Sequence, residues 1–153
     1  MTIITDTRET KPLKFKEDGM LEKVVRAKLD HCDYACQYTN GDYAPFFFER
    51  KSIGDLYGTM TQGYHRFKDE IKRCKADGHI MILAIEGTYT DVLAGFEHSR
   101  FSGASMAKKL MTLLLRYQVY PVFFSSRVEM AAYIRELFEA WGREVIVKQR
   151  RKK

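Results

Sequence analysis

Apolar residues along this chain keep two different rhythms, and the places where one gives way to the other outline the fold. Thr2 to Thr7 is β-branched and apolar, a first strand that runs out into Asp6, Arg8 and Glu9. From about Asp18, Leu21, Val24, Val25 and Leu29 recur at helical spacing with Glu22, Lys23, Arg26 and Lys28 between them, which predicts an amphipathic helix. Cys32 to Thr39 and Tyr43 to Lys51 read as two strands flanking Asn40-Gly41-Asp42, a strong hairpin signal, with Pro45 marking an edge or a bulge. Ser52 to Asp77 is helical in pattern, its first half interrupted by Gly54, Gly58 and Gly63. Ile80 to Glu86 is a continuous apolar run, as in a strand buried on both faces. A helix over Ser105 to Tyr117, a strand over Val119 to Phe124, a helix from Arg127 to Ala140 stopping at Gly142, and a short last strand at Glu144 to Lys148 complete the reading. An early hairpin followed by alternating helices and strands predicts an α/β fold, a mixed β-sheet flanked by helices.

Length adds that one domain does everything. At 153 residues, the expectation is a single domain over residues 1–147 with a basic tail at 148–153. No apolar run approaches a membrane span and no signal-peptide pattern opens the chain, so no membrane partner and a cytoplasmic setting are expected (bacterial or phage-infected cytosol, or the nucleus in a eukaryote). Cys32, Cys36 and Cys74 form neither an even disulfide set nor a paired zinc spacing, and are read as reduced packing residues. His31, His65, His79 and His98 likewise show no ligand spacing. The net charge of +6 shrinks on inspection: five of the 26 basic residues lie in the last six positions, leaving 21 against 20 acidic. Charge alone therefore does not identify a nucleic-acid binder.

The chemistry concentrates in Phe46-Phe47-Phe48-Glu49-Arg50-Lys51, an apolar strand ending in three charges. Strand alternation sends Glu49 and Lys51 to one face and Arg50 to the other. A carboxylate can hold a divalent cation while an ammonium two residues on positions a water and steadies a phosphate. Glu-x-Lys alone is usually a surface ion pair; a second carboxylate on the neighbouring strand changes the odds. Asp42, at the turn, would lie roughly 23 Å from Glu49 along the strand and cannot share an ion with it. Asp33 can, if the register allows. A two-residue turn pairs Cys32 with Glu49 and turns Asp33 to the wrong face. A three-residue turn, Asn40-Gly41-Asp42, or a bulge near Pro45 sets Asp33 opposite Glu49, with Cβ atoms about 5 Å apart.

The strings Leu29-x-x-Cys32-Asp33-Tyr34 and Glu49-Arg50-Lys51-Ser52-x-x-Asp55-Leu56 resemble the XPF-type structure-specific nucleases, whose motif reads GD…ERKxxxD within the PD-(D/E)xK superfamily. Asp6-x-Arg8-Glu9 and Ile85-Glu86-Gly87 resemble that family's DxRE and IEG segments, and the likeness runs over roughly residues 2 to 125. It implies a restriction-endonuclease-like fold, Mg²⁺ or Mn²⁺ dependence, and cleavage of branched, flap or junction DNA in repair or recombination. Cys32 stands where the family has glycine. With about 28 residues after Ser125, the tandem helix-hairpin-helix module that usually follows is not expected in this sequence, which bears on branch selectivity more than on catalysis.

On that resemblance Asp33 and Glu49 are expected metal ligands, with Asp6 completing the shell, and Lys51 the water-positioning group. Arg50 and Asp55 belong to the motif and stand among the candidate catalytic residues; Arg50, turned to the other face, is expected to brace Asp55 or another acid, and Asp55 either serves the site or favours the following helix start. Glu9 is a candidate partner for Arg8, and Glu86 is expected to be structural. DNA contacts are expected from Arg8, Arg66, Lys68, Arg100, Lys108 and Lys109, with Ser102-Gly103 opening a helix whose free amides suit a phosphate. Tyr133, Leu137, Phe138 and Trp141 form an apolar stripe that either pairs two copies or belongs to the core. Retention of Asp33, Glu49 and Lys51 favours an enzyme over a silent scaffold, and an RNA nuclease with the same metal site is the remaining alternative.

Overall fold

Ile80 to Glu86 is apolar almost throughout because it forms the interior of a six-stranded sheet covered on both faces. The computed structural model describes residues 1–151; Lys152 and Lys153 of the basic tail lie outside the described residues. The strands are β1 (Thr2–Asp6), β2 (Lys23–Ala27), β3 (Tyr34–Gln37), β4 (Phe46–Ser52), β5 (Ile80–Glu86) and β6 (Tyr120–Phe124). The helices are α1 (Ile53–Met60), α2 (Tyr64–Ala76), α3 (Tyr89–Ala94), α4 (Gly103–Tyr117) and α5 (Arg127–Arg151). The sheet runs β2-β1-β3-β4-β5-β6. β4, β5 and β6 are parallel, as are β1 and β2, while β3 is antiparallel to both its neighbours. Parallel neighbours need crossover connections: α1–α2 and α3–α4 supply those from β4 to β5 and from β5 to β6, and the stretch 7–22, without a helix, joins β1 to β2.

Alternation along the central strands builds two cores. Phe47, Leu83 and Ile85 face Leu56 and Met60 of α1, Phe67 and Ile71 of α2, and Met106 and Leu110 of α4. Phe46, Phe48, Ile82 and Ala84 face Met130, Ile134 and Phe138 of α5. The stripe with Leu137, Phe138 and Trp141 therefore packs into the second core, and Tyr133 stacks edge-on against Phe48 and Phe124.

Three sequence expectations are corrected. The amphipathic helix from Asp18 is instead an edge strand: Lys23 to Ala27 pairs in parallel with Thr2 to Asp6. Val24 packs on one core and Val25 on the other, a period of two that the wider leucine spacing obscured. The helix expected to stop at Gly142 continues through it to Arg151, so Glu144 to Lys148 is helix and not a strand. Gly142 is a close-approach residue, since a Cβ there would meet the Tyr38 ring at 2.9 Å. The long helical segment is broken between Met60 and Tyr64, and α3, which the hydrophobic pattern did not reveal, opens on a Thr88–Asp91 capping box.

The hairpin forms with a shift in register. Tyr38 N–H donates to Asp42 O and Gln37 bridges Tyr43, yet further along Tyr34 pairs with Phe48. Three residues, Pro45 to Phe47, thus oppose Ala35 alone, a bulge of the kind Pro45 foreshadowed. Pro45 has no N–H to leave orphaned, and its carbonyl accepts from Ile80 N at 2.7 Å. The shift, not a three-residue Asn40-Gly41-Asp42 turn, brings Asp33 toward Glu49.

Candidate active site

The end of β4 and the loop entering β3 place the acids. Asp33 N–H donates to Phe48 O at 2.9 Å, and Asp33 Oδ2 accepts from Arg50 N at 2.8 Å. The carboxylate thereby takes a place that a backbone carbonyl would hold in a regular ladder. Asp33 O also accepts from Asp6 N, tying the loop to the end of β1. Glu49 is buried on the face covered by α1, α2 and α4, with the Lys51 ammonium 2.7 Å from its Oε1. Lys51 Nζ lies 5.8 Å from the centre of the Phe67 ring on α2. The same helix contributes Glu70, whose Oε1 accepts from Cys32 N at 2.8 Å.

These groups share one electrostatic environment. Burial, then the charge of Asp33, pushes the Glu49 carboxyl up to about 8, with Glu70 adding to the rise and Lys51 opposing it. Burial likewise raises Asp33 to about 6; Glu9 and Glu70 add to it, while the Arg50 amide and Lys51 offset part. Burial alone would lower Lys51, but the neighbouring Glu49, Asp33 and Glu70 outweigh it and hold the ammonium protonated. Three carboxyl groups crowd one ammonium, and the raised proton affinity of Asp33 and Glu49 marks negative charge that a divalent cation would neutralise in place of protons. Oxygen donors of this kind suit Mg²⁺ or Mn²⁺, so the residues fit the hard cation that the motif implies.

Arg50 lies on the other face, as alternation requires. Its guanidinium clamps Glu9 at 2.8 and 2.9 Å and reaches Glu86 at 2.8 Å, and Arg127 meets the same Glu86 oxygen at 2.5 Å. Arg50 thus pairs with Glu9 and Glu86 and not with Asp55, and Glu86 is shared between two guanidinium groups. Glu9 pairs with Arg50 rather than with Arg8. Arg8 instead binds Asp6, whose two oxygens accept from Arg8 N, Nε and Nη2 and from Leu29 N. All four lone-pair positions of Asp6 are occupied, so a cation would have to displace one of these bonds to be held by it. Asp55 is exposed in the first turn of α1, its amide bound by the Ser52 hydroxyl, where it favours the helix start.

Glu70 is the residue sequence reasoning missed. It lies among the charges of α2, 38 positions from Cys32, and only its place between Phe67 and Ile71 on the buried stripe marked it out. The histidines and cysteines also depart from expectation: ligand atoms of His31, Cys32 and Cys74 lie within 4.8 Å of one another, as do those of Cys32, Glu49 and Glu70.

Of the basic residues, Lys68 and Lys109 both lie over the Tyr64 ring, at 5.0 and 3.7 Å from its centre. Tyr64 is one turn from Phe67, so these ammonium groups continue from Lys51 along α2. Arg66, Arg100 and Lys108 are exposed nearby in sequence, and Ser102 caps α4 through Ser105 N. Arg8 is largely exposed while its guanidinium feels the charges of Glu70 and Asp33.

The ERCC4 domain family model matches residues 5–137. The fold is similar to that of XPF from Aeropyrum pernix, at 16% identity and a TM-score of 0.67, over 98% of this chain and 69% of that one. It is also similar to XPF from Aeropyrum pernix in complex with DNA, at 16% identity and a TM-score of 0.66, over 94% of this chain and 66% of that one. The chain thus spans about two thirds of the length of those proteins. No curated protein matches the sequence. Because the family match runs from the end of β1 through the whole sheet and well into α5, the chain belongs to the ERCC4 domain family.

Proposed function

We propose that this protein is a divalent-cation-dependent endonuclease that hydrolyses phosphodiester bonds of DNA, with branched, flap or junction DNA in repair or recombination as its substrate class. One observation carries the reading: Asp33 from the loop before β3, Glu49 from β4 and Glu70 from α2 come together beside the single ammonium of Lys51, which lies 2.7 Å from Glu49. Asp33 and Glu49 would hold Mg²⁺ or Mn²⁺, with Glu70 beside them. A bound ion of this class polarises the scissile phosphate and lowers the pKa of its water. Lys51, kept protonated by its acidic neighbours, donates to the attacking water or a phosphate oxygen and offsets charge built up in the transition state; it is not the base. Arg50 holds Glu9 and Glu86 behind the strand and so fixes where Glu49 and Lys51 point. Tyr64 with Lys68 and Lys109 offers an aromatic face and two ammonium groups to the nucleic-acid backbone. The DNA complex of the similar XPF from Aeropyrum pernix supports DNA as the polymer.

The test is incubation with Mg²⁺ or Mn²⁺ and labelled duplex, flap, junction and single-stranded DNA, beside RNA of the same sequences. Cleavage of DNA that chelation abolishes, and that Lys51→Met slows by about 10²–10⁴-fold, is expected. Cleavage of RNA alone, or DNA cleavage indifferent to both chelation and Lys51→Met, would overturn the proposal.

A further inference from the structure

Behind the acidic groups, His31, Cys32 and Cys74 meet in the interior, all three buried. Their ligand atoms fall within 4.8 Å of one another. Tetrahedral zinc with bonds of about 2.3 Å to sulfur sets its donors roughly 3.8 Å apart, so the three need only a small contraction. His31 is 2% exposed, and its Nδ1 makes no hydrogen bond of regular geometry among the described residues, while the ring interacts with the Cys74 sulfur, which in turn interacts with Cys32. The other ring nitrogen is fully engaged: Nε2 lies 3.2 Å from Asp77 Oδ2 and 3.2 Å from His79 Nδ1. A carboxylate on the far nitrogen is what fixes the tautomer and orientation of a metal-binding histidine, leaving Nδ1 as the ligand. His79 is in turn stacked on Phe47 at 4.2 Å between ring centres. Cys32 adds an independent sign. Its φ of 62° is the left-handed conformation that glycine adopts freely and cysteine adopts at a cost, yet a thiol is kept there and turned inward.

We propose that His31 Nδ1, Cys32 Sγ and Cys74 Sγ form a site for a thiophilic divalent cation of the Zn²⁺ class, distinct from the hard-cation site at Asp33 and Glu49. Sulfur and imidazole donors select zinc over magnesium, as the carboxylates next door select the reverse. Two thiolates balance the ion's double charge, and binding releases both thiol protons to solvent. Oxygens of Glu49 and Glu70 lie within 4.8 Å of the same Cys32 sulfur. An ion held there would therefore sit directly against the acids assigned to catalysis.

Cobalt(II) titration of the full, reduced, metal-free protein tests this. One equivalent should produce a sulfur-to-cobalt charge-transfer band with the visible bands of tetrahedral cobalt, and added Zn²⁺ should remove both. Cys74→Ser and His31→Gln should each weaken cobalt binding at least tenfold. Circular dichroism of both metal-free variants checks that they keep the native spectrum, and loss of the band in whichever one does supports the site. Asp33→Asn should keep the band intact whether or not the protein proves to be a nuclease, which separates this proposal from the one above. No charge-transfer band in the wild type would overturn it. So would a cobalt spectrum without sulfur character, which would place the ion among His31, Asp77 and His79 instead.

Discussion

Asp33 and Arg50, joined by one backbone hydrogen bond, sit in opposite electrostatic settings. Asp33 is held above the ordinary carboxylate range, so the folded state binds its proton more tightly than the unfolded chain. The stability this gives is present below the unfolded value near pH 4 and is lost as pH rises through about 6. At pH 8 the ionised, buried acid is a cost. Asp33→Asn removes the charge and keeps an acceptor for the Arg50 amide, so the metal-free variant should melt about 2–4 °C higher at pH 8 by calorimetry. The same substitution should lower cleavage by about 10²-fold or more. Glu9 has the opposite sign. Burial would raise it, but the Arg50 bonds and the Lys11 amide hold it below its usual value, so its contribution is present above about pH 4 and lost on further acidification. Arg50→Ala strands the buried Glu9, and urea unfolding at pH 7 should show a loss of about 3–5 kcal/mol. That Arg50 faces away from Glu49 and Lys51 was readable from alternation along β4. The partners of Arg50 were not, because Glu9 and Glu86 come from segments remote in sequence that only the folded sheet brings together.

Among the elements, local pattern succeeded where burial was two-sided or a turn was chemically marked, as in β5 and the hairpin. It failed at β2, where Val24 and Val25 alternate between two cores within a leucine spacing that mimics a helix turn. Edge pairing with β1 decided the outcome. The hairpin's register depended on a device, a turn or a bulge, that sequence could name but not choose between. Glycines separate in the same way. A Cβ on Gly58, exposed in α1, meets nothing within 4 Å, whereas one on Gly103 would lie 2.0 Å from Leu93 O. Gly58→Ala should therefore stabilise by about 0.5–1 kcal/mol through helix propensity. Gly103→Ala should cost about 1–3 kcal/mol by forcing α4 away from α3, and paired denaturant melts would read both.

For the molecule as a whole, the net positive charge is less informative than where a few ammonium groups converge. Lys109 from α4 and Lys68 from α2 meet over one tyrosine, beyond the reach of any local motif. If that surface follows the nucleic-acid backbone, Lys109→Ala should weaken DNA binding across sequences and reduce the slope of log affinity against log salt by about 1. A slope unchanged from the wild type would remove Lys109 from the contact. The sheet and its acids were foreshadowed by the chain; the third acid, Glu70, was not, because a helix that crosses the site contributes it from what reads as a solvated charge pattern. No described helix is long and apolar enough to cross a membrane.

The bond from the Arg50 amide to Asp33 Oδ2 wires a reporter into the sheet. Any event that protonates this acid or draws it toward an ion must pull on that backbone proton. The nitrogen and proton resonances of residue 50 therefore register occupancy of the centre without a label on substrate or metal.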